Sequence, residues 1–181
     1  MKLVPRIGWM LARPKRVFAV VKEEKPGKAW LYFLLVISLS IIPLMIAGWI
    51  TFERFFAPIF QGLPIFWMRL VFIILMPLSV YFMLALILLF DALFLTIGLK
   101  ILRTKIKLSQ SINVVFYGAT PLTLTFWLPP IMIVAAIWSL VLVVRGYKLM
   151  YDIPHQKAIA VILFFVALAG IQGLLLRLLT S

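Results

Sequence analysis

The sequence predicts an all-α membrane protein, a bundle of five transmembrane helices preceded by amphipathic helices at the membrane interface. Of its 181 residues 65% are hydrophobic, and the mean hydropathy is +1.18, whereas soluble domains are about half apolar. Several apolar runs reach the ~20 residues that a helix needs to cross the hydrocarbon core. The formal charge is +13. In a membrane chain such an excess of Lys and Arg collects on the cytoplasmic flanks of the spans, so nucleic acid is not expected as a partner.

The first 28 residues are predicted to form a basic amphipathic segment on the cytoplasmic membrane surface. Apolar residues recur on one helical face, at Leu3, Ile7, Met10 and Leu11 and then, after Pro14 in a first helical turn, at Val17, Phe18 and Val21. Basic amphipathic helices lie in the headgroup plane. We therefore expect contacts with anionic lipids from Lys2, Arg6, Arg13, Lys15 and Arg16. A cleaved signal peptide is disfavoured, because the apolar run begins only after Lys28 and no small-residue cleavage site ends it.

Five spans are predicted in residues 29–181, at about 29–50, 70–95, 108–128, 131–150 and 158–179. The second belongs to an apolar run from Ile65 to Leu99, which at ~1.5 Å per residue extends ~50 Å against a hydrocarbon core of ~30 Å. Either this run is one tilted, overhanging helix kinked near Pro77, or it turns back to make two spans. No turn signal interrupts it, so we predict one span.

The distribution of cations orients the five spans. With the N-terminus inside, 15 of the 18 Lys and Arg residues lie on the inner side, and only Arg54, Arg69 and Arg177 lie outside. Dividing the run 65–99 into two spans would send the four-cation loop 100–107 outward, against the positive-inside rule. We therefore predict a cytoplasmic N-terminus and an outer C-terminus.

Asp91 is an acid inside the predicted second span, nine residues before Lys100 and so roughly 13 Å along the helix from the flank. A charge at mid-depth costs roughly 2.5–3.5 kcal/mol on insertion scales, so we expect Asp91 to face the bundle. The polar cluster predicted around it comprises Asn113, Tyr117 and Thr120 on the third span, with Ser139 and Ser38 as further candidates. Two alternatives remain open: a structural tie between spans two and three, or a proton or cation site.

No residue pattern typical of catalysis or of a metal centre is present. Cysteine is absent, so there is neither a thiolate nucleophile nor a cysteine metal site. The single histidine, His155, has only Asp152 nearby, and metal sites need three or four ligands. No glycine-rich nucleotide motif occurs. We predict a protein that is not an enzyme and has no cofactor.

A series of short motifs runs in order along the chain. Pro14 and Phe18 precede the first span, and Tyr117-Gly118-Ala119-Thr120-Pro121 lies in the third. Later positions are Trp138, Leu140, Leu142, Gly146 and the stretch DIPHQKA, which contains Lys157. In this order the motifs resemble the Yip-domain family of five-span membrane proteins with a cytoplasmic N-terminus. Eukaryotic members carry Gly-Tyr where this chain has Tyr-Gly, and they have a long N-terminal arm that is missing here. The chain therefore resembles the short prokaryotic type.

The resemblance implies a membrane scaffold or adaptor, since the eukaryotic branch is implicated in binding prenylated Rab-type GTPases and in early secretory traffic. Such a protein would act through anionic lipids, a membrane-protein partner or a second copy of itself, here in a prokaryotic plasma membrane. The alternative is a small transporter or channel, proton-coupled through Asp91, because prolines in spans one to three are typical of the broken helices of transporters. An enzyme acting on lipid is the third hypothesis.

Overall fold

The computed structural model describes residues 3–22, 24–56, 65–125 and 128–163, and the regular elements in these ranges are all helical. The helices are α1 (Leu3–Ala12), α2 (Pro14–Val21), α3 (Pro26–Thr51), α4 (Ile65–Ile101), α5 (Leu108–Gly118), α6 (Thr120–Thr125), α7 (Pro129–Tyr151) and α8 (155–163). A π-helical turn, Phe52–Phe56, continues α3. The predicted all-α class is confirmed.

Three described helices are long and apolar enough to cross a membrane: Pro26–Arg54, Phe66–Ile101 and Pro130–Tyr151. They correspond to the predicted first, second and fourth spans. The predicted third span consists of two shorter helices, and most of the predicted fifth span, beyond residue 163, lies outside the described residues. The count of five spans therefore stays a prediction.

The apolar run from Ile65 to Leu99 forms a single helix. Helix α4 is 37 residues long and contains Pro77, and at ~1.5 Å per residue it extends ~55 Å. The prediction of one long helix is therefore confirmed. At its first turns Arg69 pairs with Glu53 of the π-helical turn, with Nε and Oε1 2.9 Å apart, so the end of α3 and the start of α4 are held together.

The predicted third span is broken at Ala119. Pro121 has no N–H for the carbonyl of Tyr117, and a proline ring clashes with the carbonyl four residues earlier in a continuous helix. The hydroxyl of Thr120 donates to that carbonyl instead, at 2.6 Å. The hydroxyl of Thr120 therefore replaces the missing backbone donor for the carbonyl of Tyr117, and α6 continues from α5 after one turn residue.

Helices α5 and α6 form the centre of the bundle, with residues 113–121 buried without interruption. Helices α3, α4 and α7 pack around this centre. The ring of Phe116 lies 4.7 Å from that of Trp30 and 4.9 Å from that of Phe33. On the α7 side, a Cβ on Gly118 would lie 2.6 Å from a methyl group of Val143, so the close approach of α5 and α7 requires glycine.

Helices α1 and α2, together called the N-terminal unit, fold back onto the bundle. The predicted second short helix is confirmed with its buried face of Val17, Phe18 and Val21. A Cβ on Gly146 would come within 2.9 Å of the Phe18 ring, so α2 lies directly against α7, while α1 packs on α3 and α6. The apolar face therefore contacts protein rather than lipid. Leu11, expected on that face, is 42% exposed.

Candidate functional site

A buried ion pair connects the N-terminal unit to the centre of the bundle. Two guanidinium nitrogens of Arg6 contact the two carboxylate oxygens of Glu24, at 2.8 and 2.9 Å, and the side chains are only 4% and 10% exposed. This bidentate arrangement is the strongest geometry for such a pair. The hydroxyl of Tyr117 accepts a hydrogen bond from Arg6 at 3.0 Å and donates one to Glu24 at 3.2 Å.

Further polar groups of the bundle surround the pair. Asn113 donates its side-chain amide to the backbone carbonyl of Glu24 at 2.8 Å, which fixes the link between α2 and α3. The ring of Tyr117 stacks on that of Tyr32 at 4.2 Å. The hydroxyls of Tyr32 and Thr120 lie 2.9 Å apart; Tyr32 is the donor, because Thr120 already donates to the carbonyl of Tyr117. We call this group the polar cluster: Arg6, Glu24, Tyr32, Asn113, Tyr117 and Thr120.

Both members of the ion pair are held in their charged forms. The hydrogen bond to Glu24 raises the pKa of Arg6 above its ordinary value, although burial acts in the opposite direction. Burial acts to raise the pKa of Glu24, but the hydrogen bonds and charge of Arg6, with help from Tyr117 and Lys28, outweigh it. The pKa of Glu24 therefore lies below its ordinary value. At neutral pH the cluster contains a full ion pair.

Asp91 does not join the polar cluster, which corrects the prediction that it would hydrogen-bond to Asn113 or Tyr117. Asn113 and Tyr117 are engaged with Glu24 and Arg6 instead. Asn113 and Tyr117 on α5 and Thr120 at the start of α6, spaced i, i+4 and i+7, face α3 and the N-terminal unit. Val115 on α5, which lines a cavity together with Asp91, is two residues from both Asn113 and Tyr117, and two residues turn a helix by ~200°. Asp91 therefore lies on the side of α5 opposite to Asn113 and Tyr117.

That opposite face borders a cavity of about 350 Å³ between α4, α5, α6 and α7. Asp91 and Ser139 are its polar lining residues, and the apolar walls include Leu88, Val115, Ala119, Leu122 and Val143. The hydroxyl of Ser139 accepts the backbone N–H of Leu122 at 3.1 Å. Asp91 is exposed in the structure, and among the described side chains none donates a hydrogen bond to it. Asp91 is therefore not a tie between described helices.

The contacts between helices give the height of Asp91 along the bundle. The hydroxyls of Thr96 on α4 and Ser111 on α5 lie 2.7 Å apart, and the two helices are antiparallel. Asp91, five residues before Thr96, is therefore at the height of Phe116, ~7.5 Å further along α5. Because Gly146 packs near Val114, Asp91 lies within about one turn of the height of Arg145. The last turns of α4 therefore extend beyond the height at which the cationic side chains of α7 begin.

The bundle has a basic end, which carries most of the described cations. Exposed Lys and Arg side chains occupy the N-terminal unit, the start of α3, the α4–α5 loop and the last turns of α7: Arg13, Lys15, Arg16, Lys22, Lys25, Lys28, Lys100, Arg103, Lys105, Lys107, Arg145 and Lys148. Lys157, at the start of α8, donates to the carbonyl of Leu102 at 2.9 Å, which joins α8 to the α4–α5 loop.

The side chains predicted to contact anionic lipid differ in their exposure. Arg13, Lys15 and Arg16 are exposed, and their contact with anionic lipid stays a prediction. Arg6 is buried against Glu24 and has no surface for a headgroup, so its predicted lipid contact is corrected. Lys2 lies outside the described residues.

The motif residues occupy positions where helices meet. Gly118 and Gly146 permit close contacts with Val143 and Phe18. Pro121 follows the break between α5 and α6, and Lys157 joins α8 to the α4–α5 loop. Trp138, by contrast, is 37% exposed. Within the described ranges no group of three or more His, Asp or Glu side chains is placed to hold a metal ion.

Glu24 and Tyr32 belong to the polar cluster although the sequence did not single them out. A signal existed for Glu24, because it is one of only five acids in the chain and lies among the cations that precede the first apolar run. Tyr32 had no such sequence signal beyond its place near the start of the first apolar run.

Comparison with known proteins gives one match. The family model described as the Yip1 domain matches residues 9–176, which covers every member of the polar cluster except Arg6. No curated protein and no solved structure matches the chain.

Proposed function

The chain belongs to the Yip1-domain family, and from this membership we propose that it is an integral membrane scaffold or adaptor that acts through partner or lipid interactions at its basic end. The Yip1 family is not an enzyme family, and we propose no catalytic role. Partners of the appropriate chemistry are anionic lipids, a membrane protein or a second copy of the chain.

The observation that carries this proposal is the docking of the N-terminal unit. The Arg6–Glu24 ion pair and Tyr117 hold α1 and α2 against the bundle, and this places Arg13, Lys15 and Arg16 beside the other exposed cations. A fixed, strongly basic surface suits recruitment rather than passage of a solute. By the positive-inside rule this end is cytoplasmic, in a five-span protein whose C-terminus is outside, in a prokaryotic plasma membrane.

The transporter alternative gains no support from the family match or from the described geometry. Helix breaks in transporters direct polar backbone groups at a substrate. Here polar backbone groups at the break are already engaged, because the hydroxyl of Thr120 donates to the carbonyl of Tyr117 and that of Ser139 accepts from the N–H of Leu122.

Site-specific cross-linking tests the adaptor role, since the chain has no cysteine. Lys15→Cys at the basic end and Ile133→Cys at the start of α7 would each carry a photoreactive maleimide in native membranes. We expect discrete protein or anionic-lipid adducts at position 15 that are absent at position 133. Identical adduct patterns at the two positions would contradict a dedicated basic surface.

A flux assay in proteoliposomes tests the alternative directly. We expect proton and small-cation flux no higher than in empty vesicles. Flux that disappears in Asp91→Asn, while the variant still folds, would replace the scaffold with a transporter.

A further inference from the structure

The N-terminal unit has a second, outward face that combines apolar and basic side chains. Trp9, Leu11 and Val20 are 40%, 42% and 44% exposed. The exposed cations Arg13, Lys15 and Arg16 lie at the corner between α1 and α2. We call these six residues the outer surface. Neighbouring exposed apolar and cationic side chains are typical of helices that lie in a membrane interface, where Lys and Arg keep their heads in water.

The outer surface lies at the height of a membrane boundary. Phe18, on the inner face of α2, packs against Gly146, so α2 is level with the last turns of α7. There the exposed cations begin, at Arg145. Lys and Arg mark the cytoplasmic boundary of the hydrocarbon core, so the N-terminal unit is placed beside lipid headgroups rather than above them in the cytoplasm.

Resting on the proposed function, we propose that the outer surface binds anionic phospholipid headgroups of the adjacent leaflet. Arg13, Lys15 and Arg16 contact the phosphates, while Trp9, Leu11 and Val20 enter the boundary between headgroups and acyl chains. An acidic protein would match the cations but would leave the apolar side chains without matching chemistry. The combination therefore specifies a lipid surface.

The buried ion pair determines which cations take part. The guanidinium of Arg6 is engaged by Glu24 and Tyr117, so α1 cannot turn Arg6 outward without breaking these hydrogen bonds. The outer surface is thus held in one orientation, and selectivity for anionic lipid comes from the three outer cations.

Quenching by spin-labelled lipids tests this proposal on the full-length chain. Ala12→Cys, an exposed position at the end of α1, would carry an NBD fluorophore in vesicles that contain a nitroxide lipid, either phosphatidylglycerol or phosphatidylcholine, at equal mole fraction. We expect stronger quenching by phosphatidylglycerol, since each cation near an anionic surface contributes up to about fivefold in preference. The preference should weaken as ionic strength rises.

Two triple variants supply the comparison. Arg13→Gln with Lys15→Gln and Arg16→Gln should make the two lipids quench equally. Arg103→Gln with Lys105→Gln and Lys107→Gln, which removes three cations from the α4–α5 loop, should keep the preference. Equal quenching in the wild type, or the same loss in both variants, would overturn the proposal. Absence of quenching by either lipid would overturn it in favour of a water-facing surface for an acidic protein. None of these outcomes depends on the cross-linking or flux results that test the scaffold role.

Discussion

Arg6 and Glu24 stabilise the fold only as a complete pair. Removing one partner of a buried ion pair leaves an uncompensated charge and costs about 3–5 kcal/mol, whereas replacing both with apolar residues is often neutral. We expect Glu24→Gln to lower the melting temperature in detergent more than Tyr117→Phe, since a hydroxyl hydrogen bond contributes ~1 kcal/mol.

The double variant Arg6→Met with Glu24→Leu is the control for this prediction. It should melt closer to the wild type than Glu24→Gln does, because no buried charge is left without a partner. A double variant that is less stable than Glu24→Gln would show that packing, not charge pairing, dominates the site.

Asp91 is expected to behave differently from Glu24. No described side chain donates to its carboxylate, and the cavity around it is mostly apolar. Asp91→Leu should therefore melt at or above the wild-type temperature, because it removes a costly polar group from apolar surroundings. A decrease as large as that of Glu24→Gln would reveal a stabilising partner for the acid. The comparison needs only thermal melts in one detergent.

Asp91 and Tyr117 also show what could be predicted at the scale of residues. Counting along the helices placed both at similar depth, and the structure has them at nearly the same height. The side of α5 that each one meets could not be predicted, because it depends on which helices pack on each face. The polar face formed by Asn113, Tyr117 and Thr120 was visible in the sequence, but its partners Arg6 and Glu24 lie about 90 to 110 residues away.

At the scale of elements, the docking of α1 and α2 should depend on pH. The pKa of Glu24 is lower in the folded protein than its ordinary value of 4.5, so its contribution to stability is complete above that value. The contribution is lost as pH falls through the lower, folded-state pKa. The pKa of Arg6 is raised, so its contribution is lost only at strongly alkaline pH. We expect a spin label on Ala12→Cys to stay immobile at neutral pH and to become mobile in acid.

The same label on Glu24→Gln is the matched comparison. Without a titrating carboxylate at this position, mobility should be high at neutral pH and should change little on acidification. If the mobility of the label rose equally in acid in both proteins, the transition would belong to a titrating group other than Glu24.

Helix boundaries followed closely from local chemistry. Pro14 and Pro26 begin α2 and α3 in the first turn, as the fixed backbone angle of proline favours. The absence of a turn signal correctly predicted one helix in α4. The break between α5 and α6 was not predicted, although Pro121 was noted, because prolines in α3 and α4 leave those helices continuous. Whether a proline ends a helix depends on groups such as Thr120 that satisfy the freed carbonyl.

At the scale of the whole molecule, charge and packing favour one orientation. Most of the described exposed cations gather at one end of the bundle, whereas exposed Arg54 and the pair of Glu53 and Arg69 mark the other. Because Lys and Arg near span ends are retained in the cytoplasm, the α4–α5 loop and the N-terminal unit should both be cytoplasmic. The single helix α4 is consistent with this arrangement, since a second span within it would separate these two basic segments.

This orientation predicts the position of the C-terminus. After Lys157 the chain should cross the membrane once more, so a reporter active only in the cytoplasm should be silent when fused after Ser181. The same reporter fused after Lys157, in a chain truncated there, should be active, because that residue is joined to the basic α4–α5 loop through Leu102. Activity after Ser181 would mean that residues 158–179 do not cross, and an even number of spans would follow. Comparable expression of the two fusions, measured by immunoblot, makes the difference in activity interpretable.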